Sequence, residues 1–354
     1  MVLYLNNKKS ILGETDMRAA VYFGRHDLRV TDVDAGTIGD NQVRVNVKYC
    51  GVCGTDIHIY EGDGGSSAVT PPIVIGHEFS GVVSAIGKNV KSVKVGDRVS
   101  VDPNDMCGEC YFCRNAQAHF CKNSIGIGTT YPGGFAEYVT VREKQVFKIP
   151  DTLSFENAAL VETVSCCVHG IDLCNIKTGE TVLIIGAGPI GLLILQLAKM
   201  SGAGKIIVSE IVPEKRELAL KYGANIVVDP LNEDIGAVLS ANSENVGCVI
   251  ECAGTTRTVA QAIKYAGRGA TVMMFGLVAP DAIVEIKPYE IFSKELKITA
   301  SFINPYTFDK AIEVLALGKV TVDEIITDII PLDEINKVFE DAKFRRRGKV
   351  LIKI

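Results

Sequence analysis

No apolar run in this chain of 354 residues is long enough to cross a bilayer. The most apolar stretch, residues 182–195, is broken by glycines and a proline, whereas a spanning helix needs about 20 apolar residues. The opening residues, Met1 to Lys9, lack an apolar segment ending at a small-residue cleavage site, so no secretory leader is expected. Clustered positive charge is scarce. The formal net charge is −5 and the pI about 5.7, which argues against a nucleic-acid-binding surface. The three arginines at 345–347 read as a solvated face rather than a partner site. Internal repeats and low-complexity tracts are not apparent. A cytoplasmic protein with neither a membrane nor a nucleic-acid partner is expected. In an unsecreted chain, 11 cysteines point to metals or free thiols rather than disulfides. With 47% hydrophobic and 22% charged residues the chain is globular, and its length is comfortable for two domains.

Two patterns divide it. Residues 1–16 precede the natural first strand, Met17 to Val21, and read as an extension, a tag remnant or an upstream start. From 17 to about 160, short strand candidates alternate with Gly/Pro/Asp turns, among them 42–47, 79–86 and 98–101, so this part is expected to be mostly β. From about 163 to 300, strand candidates at 181–185, 206–209, 226–228, 248–251 and 271–275 alternate with helical stretches such as 213–222 and 257–266. That alternation predicts an α/β unit with a parallel, doubly wound sheet. The tail predicts helices at about 307–317 and 333–342 and a last strand at 350–354, returning to the first domain.

The chain is organised around Gly186-Ala187-Gly188-Pro189-Ile190-Gly191, set between the strand candidate 181–185 and an apolar helix running to Met200. Gly186 permits a sharp turn, Gly188 lets backbone approach a pyrophosphate at the helix N-terminus, and Gly191 lets helix and strand pack closely. Glu210 ends the next strand, about 20 residues on, where an acid accepts hydrogen bonds from an adenosine ribose. An acid there would repel a 2′-phosphate, so NAD is expected rather than NADP. A buried strand-turn-helix with no ligand is the bland alternative.

Cys107, Cys110, Cys113 and Cys121 lie within fifteen residues, enough thiolate to close a tetrahedral shell, and Gly108 eases the loop. A ferredoxin-type iron–sulfur run would have a shorter last spacer followed by proline, whereas here the spacer is seven and Lys122 follows. Structural zinc is therefore expected, with no open position for chemistry. A second set is dispersed: Cys53, Thr55 and His58, then His77 and Glu78, and much later Glu162. A lone cysteine or histidine is usually a core residue. Together, three protein ligands and an open position make a catalytic metal site.

In order along the chain, Gly51-Val52-Cys53-Gly54-Thr55-Asp56, Gly76-His77-Glu78-Phe79-Ser80-Gly81, Gly96-Asp97-Arg98-Val99, the four-cysteine lobe, Gly133-Gly134-Phe135-Ala136-Glu137-Tyr138 and the glycine-rich turn resemble the zinc-dependent medium-chain dehydrogenase family. The resemblance covers nearly all of the chain from Met17 and is strongest to its polyol branch of sorbitol, polyol-phosphate, butanediol and threonine dehydrogenases. Glu162 discriminates, because alcohol dehydrogenases outside that branch place a cysteine there.

The resemblance implies a GroES-like catalytic domain over residues 1–162 with its zinc lobe at 107–121, a Rossmann NAD domain over 163–300, and a tail over 301–354. It implies that Cys53 and His77 bind the catalytic metal, with Glu78 and Glu162 as third ligand and exchange partner. Thr55 would take the proton of the reacting hydroxyl and His58 would pass it on. Glu210, with Lys215 near it, would hold the ribose, and Pro189 and Ile190 belong to the pyrophosphate turn. Reversible oxidation of a secondary alcohol, polyol or vicinal diol by NAD follows, in a homodimer or homotetramer. The set with two glutamates is harder than one with two cysteines, so Mn, Fe or Co could replace catalytic zinc. Two departures stand out. Thr163 occupies the place where the branch usually has proline, and Ile303 the place where sorbitol-type enzymes carry arginine. Tyr60, Phe302 and Tyr306 are candidates for the substrate lining. Alternatives are a threonine or butanediol dehydrogenase, an inactive scaffold, a zinc-free quinone reductase and a zinc-ribbon nucleic-acid binder.

Overall fold

A computed structural model describes residues 16–63 and 69–354; residues 1–15, nearly all of the expected leader, lie outside that range. The chain divides into two units. One holds the described residues up to Thr163 with Phe308–Ala316 and Val322–Ile354, and the other holds Val164–Thr307 and Leu317–Thr321.

In the first unit the strand Gln42–Val52 is the hub. Its valines at 43, 45 and 47 turn inward on alternate positions, as a half-buried strand requires. It pairs antiparallel with Glu78–Ile86, with Tyr138–Arg142 and with the last strand, Lys349–Lys353. Arg98–Val101 and Val146–Lys148 extend one side of this sheet and Ile326–Pro331 the other. Phe79, Phe135 and Phe339 are among its largest fully buried side chains. The register sets Gly51 opposite Glu78, and Val52 opposite Val350.

The second unit is built on six parallel strands in the spatial order Ile226–Val228, Lys205–Ser209, Thr181–Ile185, Cys248–Glu251, Thr271–Met274 and Lys297–Ala300. The order reverses between Thr181–Ile185 and Cys248–Glu251, and ligands bind outside the carboxyl ends of such sheets at that switch. The inner strands are buried on both faces, which explains their unbroken apolar runs. Lys297–Ala300, at the edge, is instead largely exposed.

The helix expected at 333–342 is not one element. A turn at Leu332–Glu334 leads into Asn336–Glu340, and a new helix starts at Ala342. Asp341 makes the break: its backbone is extended and its carboxylate accepts the Lys343 N–H at 2.9 Å, so it caps the following helix instead of continuing the previous one.

Candidate functional site

The helix Gly54–Glu61 begins on Cys53, whose backbone N–H donates to Asp56 Oδ2 at 2.8 Å. Asp56 is fully buried, and its other oxygen faces His77 Nδ1 at 3.5 Å. That distance is long for a hydrogen bond but short for two charges. One carboxylate thus fixes the backbone of Cys53 and turns the ring of His77, leaving Nε2 to ligate, as partners of metal-bound histidines commonly do. Burial favours the neutral ring, but Asp56 and the Cys53 sulfur outweigh it and hold the His77 pKa well above its ordinary value.

Ligand atoms of Cys53, His77 and Glu78 all lie within 4.8 Å of one another. Glu78 is 1% exposed. Its Oε1 accepts from Lys349 Nζ at 2.5 Å and from Thr163 Oγ1 at 2.8 Å, while its Oε2 is buried with no hydrogen-bond partner. A Cβ on Gly51 would lie 2.2 Å from that Oε2, so the glycine opposite Glu78 keeps the space the carboxylate fills. Burial raises the pKa of Glu78, but Lys349, His77 and the Thr163 hydrogen bond more than offset this and leave it below the usual range. Lys349 is held above its ordinary value against burial, by Glu78 first and then by Cys53 and Glu162. The pair is therefore ionised. A thiolate, an imidazole and a carboxylate oxygen lacking a partner suit a divalent metal with an open position. Glu162 is buried and bears on Lys349, yet stands outside the 4.8 Å group. Thr55 and His58 are three residues apart on one face of the Gly54–Glu61 helix. The His58 side chain is 45% exposed, with Nδ1 3.8 Å from Asp63.

The four cysteines of the lobe form a separate group. Their sulfurs are 3.9 Å apart for Cys107 and Cys113, 3.6 Å for Cys110 and Cys113, 3.9 Å for Cys110 and Cys121, and 3.5 Å for Cys107 and Cys121. A tetrahedron with Zn–S bonds of about 2.3 Å has edges of about 3.8 Å, so the cage fits zinc. Backbone N–H groups, led by that of Cys113, bring the Cys110 thiol down to about 6, and those of Glu109 and Cys110 lower Cys107. Near the cage, buried Asp105 pairs with Arg142 at 3.1 Å and Lys144 at 2.6 Å. Cys110→Ser should cost one metal equivalent and lower the melting temperature, as loss of a structural zinc does. Metal analysis with calorimetry checks this, and unchanged values for both would contradict it.

In the second unit, Gly186 adopts φ +99°, and a Cβ on Gly191 would lie 1.9 Å from the Gly186 oxygen. Nothing stands within 4 Å of a Cβ on Gly188, the N-cap of the helix Pro189–Met200, so this face of the turn is open to a phosphate. Pro189 takes the first helical position, where its missing N–H is harmless, and Ile190 follows it. Glu210 accepts from the N–H of Ala187 at 2.6 Å and of Val212 at 2.9 Å, which pins its carboxylate to the turn. About four acceptor sites exist on a carboxylate, and these two bonds occupy two of them. Beside it, Arg216 rather than Lys215 is the cation in contact: its guanidinium donates to the Glu210 carbonyl at 2.7 Å and pairs with Asp229 at 3.1 Å.

Of the substrate-lining candidates, Tyr60 is 6% exposed and packs between His26 and Phe339, so it serves the core. Phe302 and Tyr306 are 45% and 68% exposed. The loop bearing them is anchored by Asn304, which donates to Ser165 Oγ at 2.8 Å. Both Ile303 (φ +48°) and Tyr306 (φ +60°) are left-handed, a strain that non-glycine residues sustain only where the surroundings impose it.

Asp56, Lys349 and Thr163 show no role in the sequence alone. Asp56 has a signal in its capping-box spacing from Cys53. Lys349 heads a buried apolar strand, and only strand register brings it to Glu78.

Residues 39–151 match the alcohol dehydrogenase GroES-like domain and residues 189–317 the zinc-binding dehydrogenase domain. A D-arabitol-phosphate dehydrogenase from Enterococcus avium is 35% identical over 93% of this chain and 94% of its own. A putative zinc-binding dehydrogenase from Sinorhizobium meliloti, solved bound to NADP, superposes with TM-score 0.92 at 38% identity over 96% of this chain and 100% of that one. A short chain alcohol dehydrogenase from Escherichia coli complexed with NADH gives 0.90 at 29% identity, over 97% and 100%. The chain belongs to the zinc-dependent medium-chain dehydrogenase family. It is an oxidoreductase with a zinc-binding and a nicotinamide-binding part, and no helix among the described residues is long and apolar enough to cross a membrane.

Proposed function

We propose that the protein is a zinc- and NAD-dependent polyol dehydrogenase that reversibly oxidises a secondary hydroxyl of a sugar alcohol or its phosphate. The observation that carries this is the meeting of Cys53, His77 and Glu78, whose carboxylate makes the set harder than one with two cysteines. Cys53, His77 and Glu78 hold the catalytic metal, with Glu162 as exchange partner, and Cys107, Cys110, Cys113 and Cys121 hold the structural one. A bound divalent metal supplies Lewis acidity that lowers the pKa of the substrate hydroxyl, and the nicotinamide accepts the hydride. The chain's own residues do the rest. Thr55 receives the hydroxyl proton, and half-exposed His58 hands it on to solvent. Spare carboxylate oxygen near the metal accepts from a neighbouring hydroxyl, which favours vicinal diols over simple alcohols. Glu210 accepts from the adenosine ribose and disfavours a 2′-phosphate, so NAD is the cofactor. The arabitol-phosphate relative supports a polyol, phosphorylated or free.

The test is NADH formation across sorbitol, xylitol, arabitol, their phosphates, 2,3-butanediol, threonine and simple secondary alcohols. A polyol should stand far above the simple alcohols. A preference for threonine or butanediol would replace the substrate reading, and silence with both metals and NAD bound would replace the enzyme reading.

In the same reading the protein is a cytoplasmic homo-oligomer. Among the described residues the edge strand Lys297–Ala300 pairs on one side only, and Ile283, Tyr289 and Phe292, which precede it in the chain, are 85%, 76% and 80% exposed. Light scattering should give a dimer or tetramer, and Phe292→Asp should weaken it. A monomer at micromolar concentration would contradict this assembly.

A further inference from the structure

We infer that Thr163 is a positioning residue for the metal site, an inference that rests on Cys53, His77 and Glu78 holding a metal. Glu78 has two oxygens and, among the described residues, two side-chain donors, and both donors go to the same oxygen. Lys349 Nζ lies 2.5 Å from Oε1 and Thr163 Oγ1 lies 2.8 Å from it. Oε2 is left buried without a partner, beside the space that Gly51 keeps clear. A carboxylate held by the lysine alone could swing about that single contact. A second donor from another element fixes the plane of the group, and with it the direction in which Oε2 faces.

Thr163 comes from the first turn of the helix Val161–Cys174 and is 4% exposed. Its neighbour in sequence is Glu162, so the hydroxyl also ties the second carboxylate's helix to the first carboxylate, 85 positions away in the chain. Within a helix, a threonine hydroxyl commonly bonds back to the preceding turn; here it reaches across to Glu78 instead. Proline, at this position, would offer no hydroxyl.

The test uses the holoprotein with zinc in both sites and compares wild type, Thr163→Val, Thr163→Ser and Cys53→Ser. Zinc release to a chromogenic chelator is followed with time, and Cys53→Ser identifies the lobe's share of the signal. Thr163→Val is expected to release the non-lobe zinc about 10- to 100-fold faster, the cost typical of losing an outer-shell partner. Thr163→Ser should stay near wild type, and lobe release should be unchanged in both. Wild-type release from Thr163→Val would overturn the inference, as would fast release from a Thr163→Ser variant of normal melting temperature. If wild type itself holds one zinc and Cys53→Ser holds the same, the underlying site assignment fails instead.

Discussion

His77→Ala is expected to abolish NADH formation while the protein still folds and still holds the zinc of its four-cysteine lobe. His77 sits on the loop between buried strands, with its ring turned by Asp56 and its ligand atom grouped with those of Cys53 and Glu78. On the proposed ligand set, removing the imidazole would leave two ligands, too few to keep a divalent ion in a site that needs three and an open position. What is lost is the Lewis acid's several kcal/mol of stabilisation, and at about 1.4 kcal/mol per decade that is on the order of a thousandfold or more in rate. The fold should survive, because an alanine at this position removes a polar ring from the first unit and leaves its β core intact. Metal analysis should show one equivalent lost. Turnover within about tenfold of wild type, a loss of only about 1.4 kcal/mol, would remove His77 from the chemistry.

Glu210→Ala is expected to raise the Michaelis constant for NAD roughly 10- to 100-fold, the range that hydrogen bonds to a charged group cover. It should also erase most of the discrimination against NADP. Solved relatives carry NADP in one case and NADH in another, so the choice falls to the residues here. The carboxylate already holds the N–H groups of Ala187 and Val212, which aims its free acceptor sites and costs nothing further when a ribose arrives. Arg216 will not by itself convert the variant into an NADP enzyme, because Asp229 and the Glu210 carbonyl engage its guanidinium. Steady-state kinetics with both cofactors reads the effect. An unchanged NAD-to-NADP ratio would count against the ribose role of Glu210.

Much of the architecture is legible in the sequence because its signals are local. The inner parallel strands read as apolar runs because they are buried on both faces, and 181–185, 226–228 and 248–251 have the bounds expected. The four cysteines announce themselves by spacing alone. What stays hidden depends on pairing between distant strands. Lys349 is an ordinary lysine near the end of the chain until the register of three strands sets it against Glu78. Thr163 shows in sequence only as a departure from proline, and its hydroxyl has a use only once the helix bearing Glu162 lies beside the strand bearing Glu78. Tyr60 fails the other way: an aromatic near the site motif looks like pocket lining and is core. The tail helix breaks at Asp341 because a side-chain cap outweighs apolar periodicity.

Metal-dependent turnover of a polyol is the most direct test of a catalytic metal at Cys53, His77 and Glu78. The protein would be freed of its more labile metal with a chelator, shown to keep its fold and lobe zinc, and assayed for NADH formation with NAD and arabitol or arabitol phosphate before and after zinc is returned. Without the labile metal no turnover is expected; one equivalent of zinc should restore it, but not in His77→Ala. Full turnover in protein that holds only the lobe zinc would contradict this assignment.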